Sequence, residues 1–285
     1  PLSGAVEGLV RNWTFEPSAP TMLARLARLR TVIAGPRPAP ESRALRALTA
    51  RDRWNAYFLF LPDGQLSAAH RYTLHRLRAL RGGLLAIVAT SSPGLVPREL
   101  LDTCDAVYWK GESGYDFSAY ARVFREIALR SEGADLLLLN DSVLGPFCDL
   151  DTILARSPWG LTGFTAWSAF EHHVQSYALY WRRVVPATTR SLRTVLPARV
   201  AFNRFQDVVN WQETRLARVA SRTMSVGALW FEPDPNASDP SIARAVPLVV
   251  SGFPFLKRSL VGGKLANRAD QQRVRNLLEE RGHPA

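Results

Sequence analysis

The residues best suited to chemistry stand in polar clusters that follow or open apolar runs. Gly114-Tyr115-Asp116-Phe117 lies after the run Ala106 to Trp109 and opens a helical pattern. A glycine there lets backbone approach a ligand, and the free N–H groups of a helix start attract phosphate. The alternative is that Asp116 only caps the helix. Leu136 to Leu139 lead into Asn140-Asp141-Ser142 and then Gly145-Pro146. An acid at the end of a buried strand can hold a divalent cation, and Mg2+ or Mn2+ suits oxygen ligands and diphosphate. The alternative is that Asp141 caps a turn. His172-His173-Val174-Gln175-Ser176-Tyr177 forms the last cluster. Adjacent histidines point apart, which argues against a two-histidine metal site. One of them is left to bind a phosphate or a hydroxyl, or to be structural.

Hydrophobic periodicity sets out the strands and helices that hold these clusters. Tyr57 to Leu61, Leu84 to Ala89, Ala106 to Trp109 and Leu136 to Leu139 read as strands. Helical patterns separate them, around Tyr72 to Leu80, Arg98 to Thr103 and Tyr120 to Leu129. This alternation predicts an α/β fold, a mostly parallel sheet flanked by helices, with ligands at the carboxyl ends of the strands. Further on, Trp159 to Phe164 and Met224 to Phe231 read as strands, and Val174 to Val185 as strand or helix. Ala198 to Ala220 and Ala269 to Glu280 read as helices, the second preceded by a break at Gly262-Gly263. Residues 1–50 read as an appendage: a basic amphipathic helix around Leu23 to Val32, then the helix-breaking linker Gly35 to Pro40. The domain boundaries are drawn at 1–50, 51–262 and 263–285.

Composition narrows the class. The 285 residues are 47% hydrophobic and 21% charged, which suits a packed core and neither a coiled coil nor a disordered chain. No segment offers the roughly 18 uninterrupted apolar residues of a membrane span, and Pro1 to Val10 lacks a secretory pattern. The chain opens on Pro1 rather than methionine, so it is read as trimmed or cut from a longer protein. Cys104 and Cys148 match no zinc spacing and no disulfide framework, which predicts a cytoplasmic setting. The net charge of +11 comes almost wholly from arginine and favours anionic partners. A solvated basic surface and a membrane-docking or polyanion-binding role are both open. No zinc-finger or RNA-binding motif is present, so nucleic acid is not expected as a partner. The absence of Gly-x-Gly-x-x-Gly after the first strand of the alternating pattern counts against a dinucleotide cofactor.

Taken in order, five segments resemble the rhamnan synthesis protein F family of bacterial polysaccharide enzymes. They are Glu112 to Tyr120, Leu138 to Pro146, Trp159-Gly160-Leu161-Thr162, His173 to Tyr177, and Gly252 to Arg258. Lys110-Gly111-Glu112-Ser113 departs from the family's usual Arg-x-Asn, and Ser118 stands where glycine is common. The layout is also similar to the GT-A fold of family 2 glycosyltransferases. The resemblance implies a rhamnosyltransferase of cell-wall or lipopolysaccharide glycans, using dTDP-L-rhamnose with inversion, on a glycan or lipid-linked glycan acceptor. It implies that Gly114, Tyr115, Asp116, Asn140, Ser142 and Gln175 border the donor. Asp141 takes the place of the Asp-x-Asp acid and would hold Mg2+ or Mn2+, Glu213 that of the catalytic base. His173 would touch diphosphate or acceptor, and Lys257 and Arg258 would neutralise phosphate. The setting implied is cytoplasmic, with peripheral contact at the inner membrane face. A transferase for another nucleotide sugar, a non-catalytic scaffold and a basic polyanion binder are the alternatives.

Overall fold

The computed structural model describes residues 6–261 and 268–284. The Gly262-Gly263 break, the boundary drawn there and Lys264 lie outside the described residues.

The first strands are β1 (Val10–Thr14), β2 (Pro36–Pro38), β3 (Ser42–Arg46), β4 (Arg53–Phe60), β5 (Gly83–Ala89), β6 (Ala106–Lys110) and β7 (Ala134–Asn140). There follow β8 (Val143–Leu144), β9 (Leu161–Trp167), β10 (His173–Val174), β11 (Ala178–Val184), β12 (Val200–Phe202), β13 (Val226–Glu232) and β14 (Leu256–Lys257). The helices begin with α1 (Met22–Ala34), α2 (Ala68–Arg78), α3 (Arg98–Thr103), α4 (Tyr115–Arg130), α5 (Leu150–Ala155) and α6 (Pro186–Ser191). They end with α7 (Phe205–Val208), α8 (Thr214–Ala220), α9 (Pro240–Ala243), α10 (Ala245–Val250) and α11 (Arg268–Glu280).

A ten-stranded sheet runs in the order β1-β13-β9-β11-β7-β4-β5-β6-β3, with β10 paired to β9. β4, β5, β6, β7, β9 and β13 point one way, and β11, β1, β3 and β10 oppose them. The expected α/β class, mostly parallel and flanked by helices, is what the chain adopts. Side chains alternate across a strand, so Leu85 and Ile87 of β5 enter one core while Leu84, Ala86 and Val88 enter the other. β7 divides the same way, Leu136 and Leu138 against Leu137 and Leu139. α4 closes the first core with Phe117, Tyr120, Phe124 and Ile127, repeating at helical spacing. α2, α3 and α5 close the second with Leu74, Leu77, Leu100, Leu150 and Leu154. Strands this uniformly apolar are stable only with both faces covered. Each fully buried leucine or isoleucine contributes about 1.5–3 kcal/mol.

Three expectations need correction. The segment read as an N-terminal appendage supplies both rims of the sheet: β1 pairs with β13 and β3 with β6. Ala198 to Ala220 is not one helix. It begins as β12, which pairs with β2, so the proline stretch read as a linker is one strand of a small ribbon. Prolines at both ends of β2 are compatible with such an edge strand. The ambiguous stretch Val174 to Val185 resolves as strand, with Val174 ending β10 and β11 following it.

Candidate active site

β4, β5 and β6 lie side by side, and the chain then crosses back to place β7 on the other side of β4. Where strand order reverses in this way, a crevice opens at the carboxyl ends of the strands. Here it is a cleft of about 1130 Å³. Phe58 and Phe60 of β4, the turn Glu112 to Asp116 after β6, and Asn140, Asp141 and Ser142 after β7 line one part. Gln175, Ser176, Tyr177, Asn203, Phe205, Glu213, Asp239, Lys257 and Arg258 line much of the rest.

The turn into α4 depends on Gly114, at φ +83°. A Cβ there would stand 2.8 Å from both Ala201 and the Ser118 hydroxyl, so no other residue fits. Its N–H donates to Asn203 Oδ1 at 3.0 Å. Asp116 is partly buried; it accepts from Asn140 Nδ2 at 2.7 Å and from the Phe117 N–H at 3.0 Å. Asn140 Oδ1 in turn accepts from the Ser142 N–H at 3.1 Å and its hydroxyl at 2.5 Å. Burial and the nearby Glu213 carboxylate push the Asp116 pKa up to about 6, although the Asn140 bond lowers it. At the end of β6, buried Lys110 donates to the Ser113 carbonyl at 2.8 Å. Burial brings its pKa down to about 8, with Asp116 and Glu112 opposing.

Asp141 is fixed at the end of β7. Its N–H donates to the Phe58 carbonyl at 3.0 Å, and its Oδ2 accepts the Phe60 N–H at 2.9 Å. Burial raises its pKa, and the Phe60 N–H and the Arg258 charge act the other way. His70 Nε2 stands 3.9 Å from Oδ2. Ser67 caps α2 and donates its N–H to His70 Nδ1 at 3.2 Å, so the ring proton sits on Nε2. Burial, then Arg258 and Arg71, hold the His70 pKa down to about 4, and the ring is neutral near pH 7. Tyr57 Oη, His70 Nε2, and Nε and Nη2 of Arg258 are buried without hydrogen-bond partners among the described residues. The wall around Asp141 therefore holds uncommitted donors. Lys257 Nζ lies 4.1 Å from the centroid of the Tyr177 ring, and burial lowers its pKa against the opposing charges of Asp239, Glu213 and Asp116.

Glu213 ends a widened π-helical turn, Val209–Glu213, of the kind found often at functional sites. The Ser176 hydroxyl and its N–H both bond to Oε2, the latter at 3.2 Å. Oε1 has no partner among the described residues. Arg28 of α1 braces this turn, donating to the Asn210 carbonyl at 3.0 Å and to Thr214 Oγ1 at 2.9 Å. Arg28 and Arg218 both pair with Glu171, whose side chain is fully buried.

Gly114, Tyr115, Asp116, Asn140, Asp141, Ser142, Gln175, Glu213, Lys257 and Arg258 thus line a single cleft. His173 does not. It is 2% exposed, its Nδ1 is 2.8 Å from the Glu171 carbonyl, and its ring packs near Trp167 and Phe170. The aromatic neighbours enclose it, and a role at diphosphate or acceptor is corrected to a structural one. Gln175 reaches the cleft, yet its Oε1 accepts from Thr165 Oγ1 at 2.5 Å. Ser176, Asn203, Phe205 and Asp239 also line the cleft and carried no sequence assignment. Ser176 lies within the cluster His172 to Tyr177. Asn203 meets Gly114 across 89 residues, a separation with no motif to mark it.

No protein-family model matches the sequence, and no curated protein matches it. Among solved structures, the chain is similar to the inositol-1-phosphate CTP transferase of T. maritima, at 12% identity and a TM-score of 0.41, over 70% of this chain and 96% of that one. It is similar to 4-diphosphocytidyl-2C-methyl-D-erythritol synthase of Anaerococcus prevotii, at 10% identity and a TM-score of 0.39, over 70% and 97%. It is also similar to residues 1–349 of S. aureus TarS in complex with UDP, at 9% identity and a TM-score of 0.38, over 79% and 70%.

Proposed function

We propose that the chain is a glycosyltransferase of GT-A layout that moves a sugar from a nucleotide donor to a glycan. The observation that carries this reading is the convergence of Gly114 to Asp116, Asn140 to Ser142, and Glu213 on one cleft at the strands' carboxyl ends. Its volume, about 1130 Å³, suits a nucleotide sugar. The finer reading is transfer of L-rhamnose from dTDP-L-rhamnose, with inversion, to a growing bacterial surface polysaccharide or lipid-linked glycan. It rests on the resemblance of the sequence segments to rhamnan synthesis protein F; another nucleotide sugar is the alternative.

Glycosyl transfer passes through an oxocarbenium-like centre, so the acceptor hydroxyl must lose a proton as the diphosphate departs. Glu213 is the base. Ser176 occupies Oε2 and orients the carboxylate, and Oε1 takes the acceptor proton. Attack from the side opposite the leaving group inverts the anomeric carbon. Lys257 and Arg258 stabilise the departing diphosphate. Asp116 and Asn140 hold the nucleoside, the carboxylate accepting from sugar or base donors.

Among the described residues, Glu112, Asp116, Asp141, Glu213 and Asp239 line the cleft as acids against Lys257 and Arg258 as bases, in a chain of net charge +11. A diphosphate entering that field needs accompanying positive charge, which Mg2+ or Mn2+ would supply, with Asp141 as the chain's own carboxylate ligand. Among the described residues no three His, Cys, Asp or Glu side chains could share a metal ion. Asp141 would hold it, with donor phosphates and water as the remaining ligands. A bound ion would neutralise developing charge on the diphosphate.

The test offers nucleotide sugars singly to the purified chain and measures nucleoside diphosphate release, with and without Mg2+ or Mn2+. One donor is expected to turn over. Glu213→Gln should lower kcat by about 10²–10⁴ with donor affinity nearly unchanged, and Asp141→Ala should weaken donor binding. Absence of both turnover and nucleoside diphosphate binding across the panel would falsify the reading and leave a scaffold.

A further inference from the structure

α1 is amphipathic, but its apolar side faces outward. Met22, Leu26, Leu29 and Ile33 recur at helical spacing, and Leu23 and Val32 flank them. All six are exposed; Leu26 and Ile33 are 58% and 76% accessible. The inward side is small and polar: Ala24 and Thr31 are buried, Thr31 donates to Asp207 Oδ1 at 2.8 Å, and Arg28 braces the π-helical turn. The helix is therefore held in place by its polar side while a continuous apolar stripe stands in solvent, an arrangement that singly scattered surface leucines do not produce.

The charge around the stripe identifies what covers it. α1 contains no acidic residue, and exposed Arg25 and Arg30 lie on either side of the stripe. Arg37 on β2, which follows α1 directly, and Arg199 and Arg204 beside the two ends of β12 are exposed as well. None of these five arginines has an ion-pair partner among the described residues. A two-fold contact with a second copy would bring arginine-rimmed stripes face to face, and like charges oppose it. Among the described residues no helix is long and apolar enough to cross a membrane. An apolar stripe rimmed by arginines on a short helix matches an element lying in the plane of an anionic lipid surface.

We propose that α1 docks the protein on an anionic bilayer, with Met22, Leu26, Leu29 and Ile33 inserted at the headgroup boundary and Arg25 and Arg30 on lipid phosphates. α1 adjoins the cleft through Asp207, two residues after Phe205, which lines the cleft and is 60% exposed. Docking there sets the cleft beside the lipid surface. The proposal does not depend on the sugar-transfer reading, because vesicle binding requires no donor.

The experiment is flotation of the full chain with vesicles of phosphatidylcholine alone, or of equal parts phosphatidylglycerol and phosphatidylcholine. Binding is expected on the anionic vesicles, weakened by salt. Leu26→Glu with Ile33→Glu should reduce it at least about tenfold. Arg25→Ala with Arg30→Ala should reduce it about 25-fold on anionic vesicles, at about fivefold per arginine, and little on phosphatidylcholine. Circular dichroism and melting of both variants should match the parent, since the altered side chains are exposed. Failure of the parent chain to float with anionic vesicles overturns the proposal. So does flotation indifferent to both pairs of substitutions. Dimerisation by light scattering that is lost with Leu26→Glu and Ile33→Glu, without flotation, also overturns it and assigns the stripe to a second copy.

Discussion

At Asp116, binding and stability pull in opposite directions. Its carboxyl has a pKa near 6 because burial and Glu213 both penalise its charge. An acid raised above its unfolded value, about 3.9, adds stability only while protonated. That contribution is complete below about pH 4 and is lost as the pH rises through 6. Asp116→Asn keeps an acceptor for Asn140, gives up the bond from the Phe117 N–H, and removes the larger ionised cost. It should raise stability by about 1–2 kcal/mol at pH 8 and change little at pH 4, as read from urea titrations at each pH. The same variant should bind nucleoside diphosphate about tenfold more weakly at pH 8, because the carboxylate acceptor is gone. A variant less stable than its parent at pH 8 would contradict the assignment of strain to this residue.

The elements that carry the cleft are joined by one buried ion cluster. Glu171, just before β10, pairs with Arg28 on α1 and Arg218 on α8, on both sides of the π-helical turn that ends in Glu213. Removing the shared anion leaves two arginines uncompensated, one of them largely buried. Glu171→Ala should therefore cost about 3–5 kcal/mol in chemical denaturation. In folded protein at low temperature it should lower kcat more than donor affinity, because Glu213 loses its support; equal losses in both would count against a positioning role. This cluster also marks the limit of what the sequence discloses. β4 to β7 and their helices were legible because unbroken apolar runs and helical repeats are local signals, and the acids closing those runs came with them. Glu171, Asn203 and Asp239 were not legible, since each acts through a partner distant in the chain. His173 was misread for the converse reason: a polar type in a polar cluster carries no local sign that Trp167 and Phe170 enclose it. The rims were missed because β1 and β3 are short and largely exposed, and edge strands lack a buried pattern.

For the whole molecule, a ligand held across the cleft joins parts that fold on both sides of it. Lys257 and Arg258 come from the C-terminal region, Gly114 and Asn140 from the centre, and Glu213 from the turn braced by α1. Nucleoside diphosphate at about 100 times its Kd should add about 2.7 kcal/mol, which raises Tm by about 4–5 °C in a chain of 285 residues. Differential scanning fluorimetry reads this directly, and a nucleoside without phosphates should give a smaller shift. The sheet's rims carry a consequence for biosynthesis. Val10 pairs with Phe231, so β1 leaves the ribosome long before its partner exists. At about 5–20 residues per second, the roughly 220 residues between them take some ten seconds or more to translate. Throughout that interval the nascent chain carries an unpaired edge strand, a natural client for a holdase, and slower translation would lengthen its exposure to aggregation.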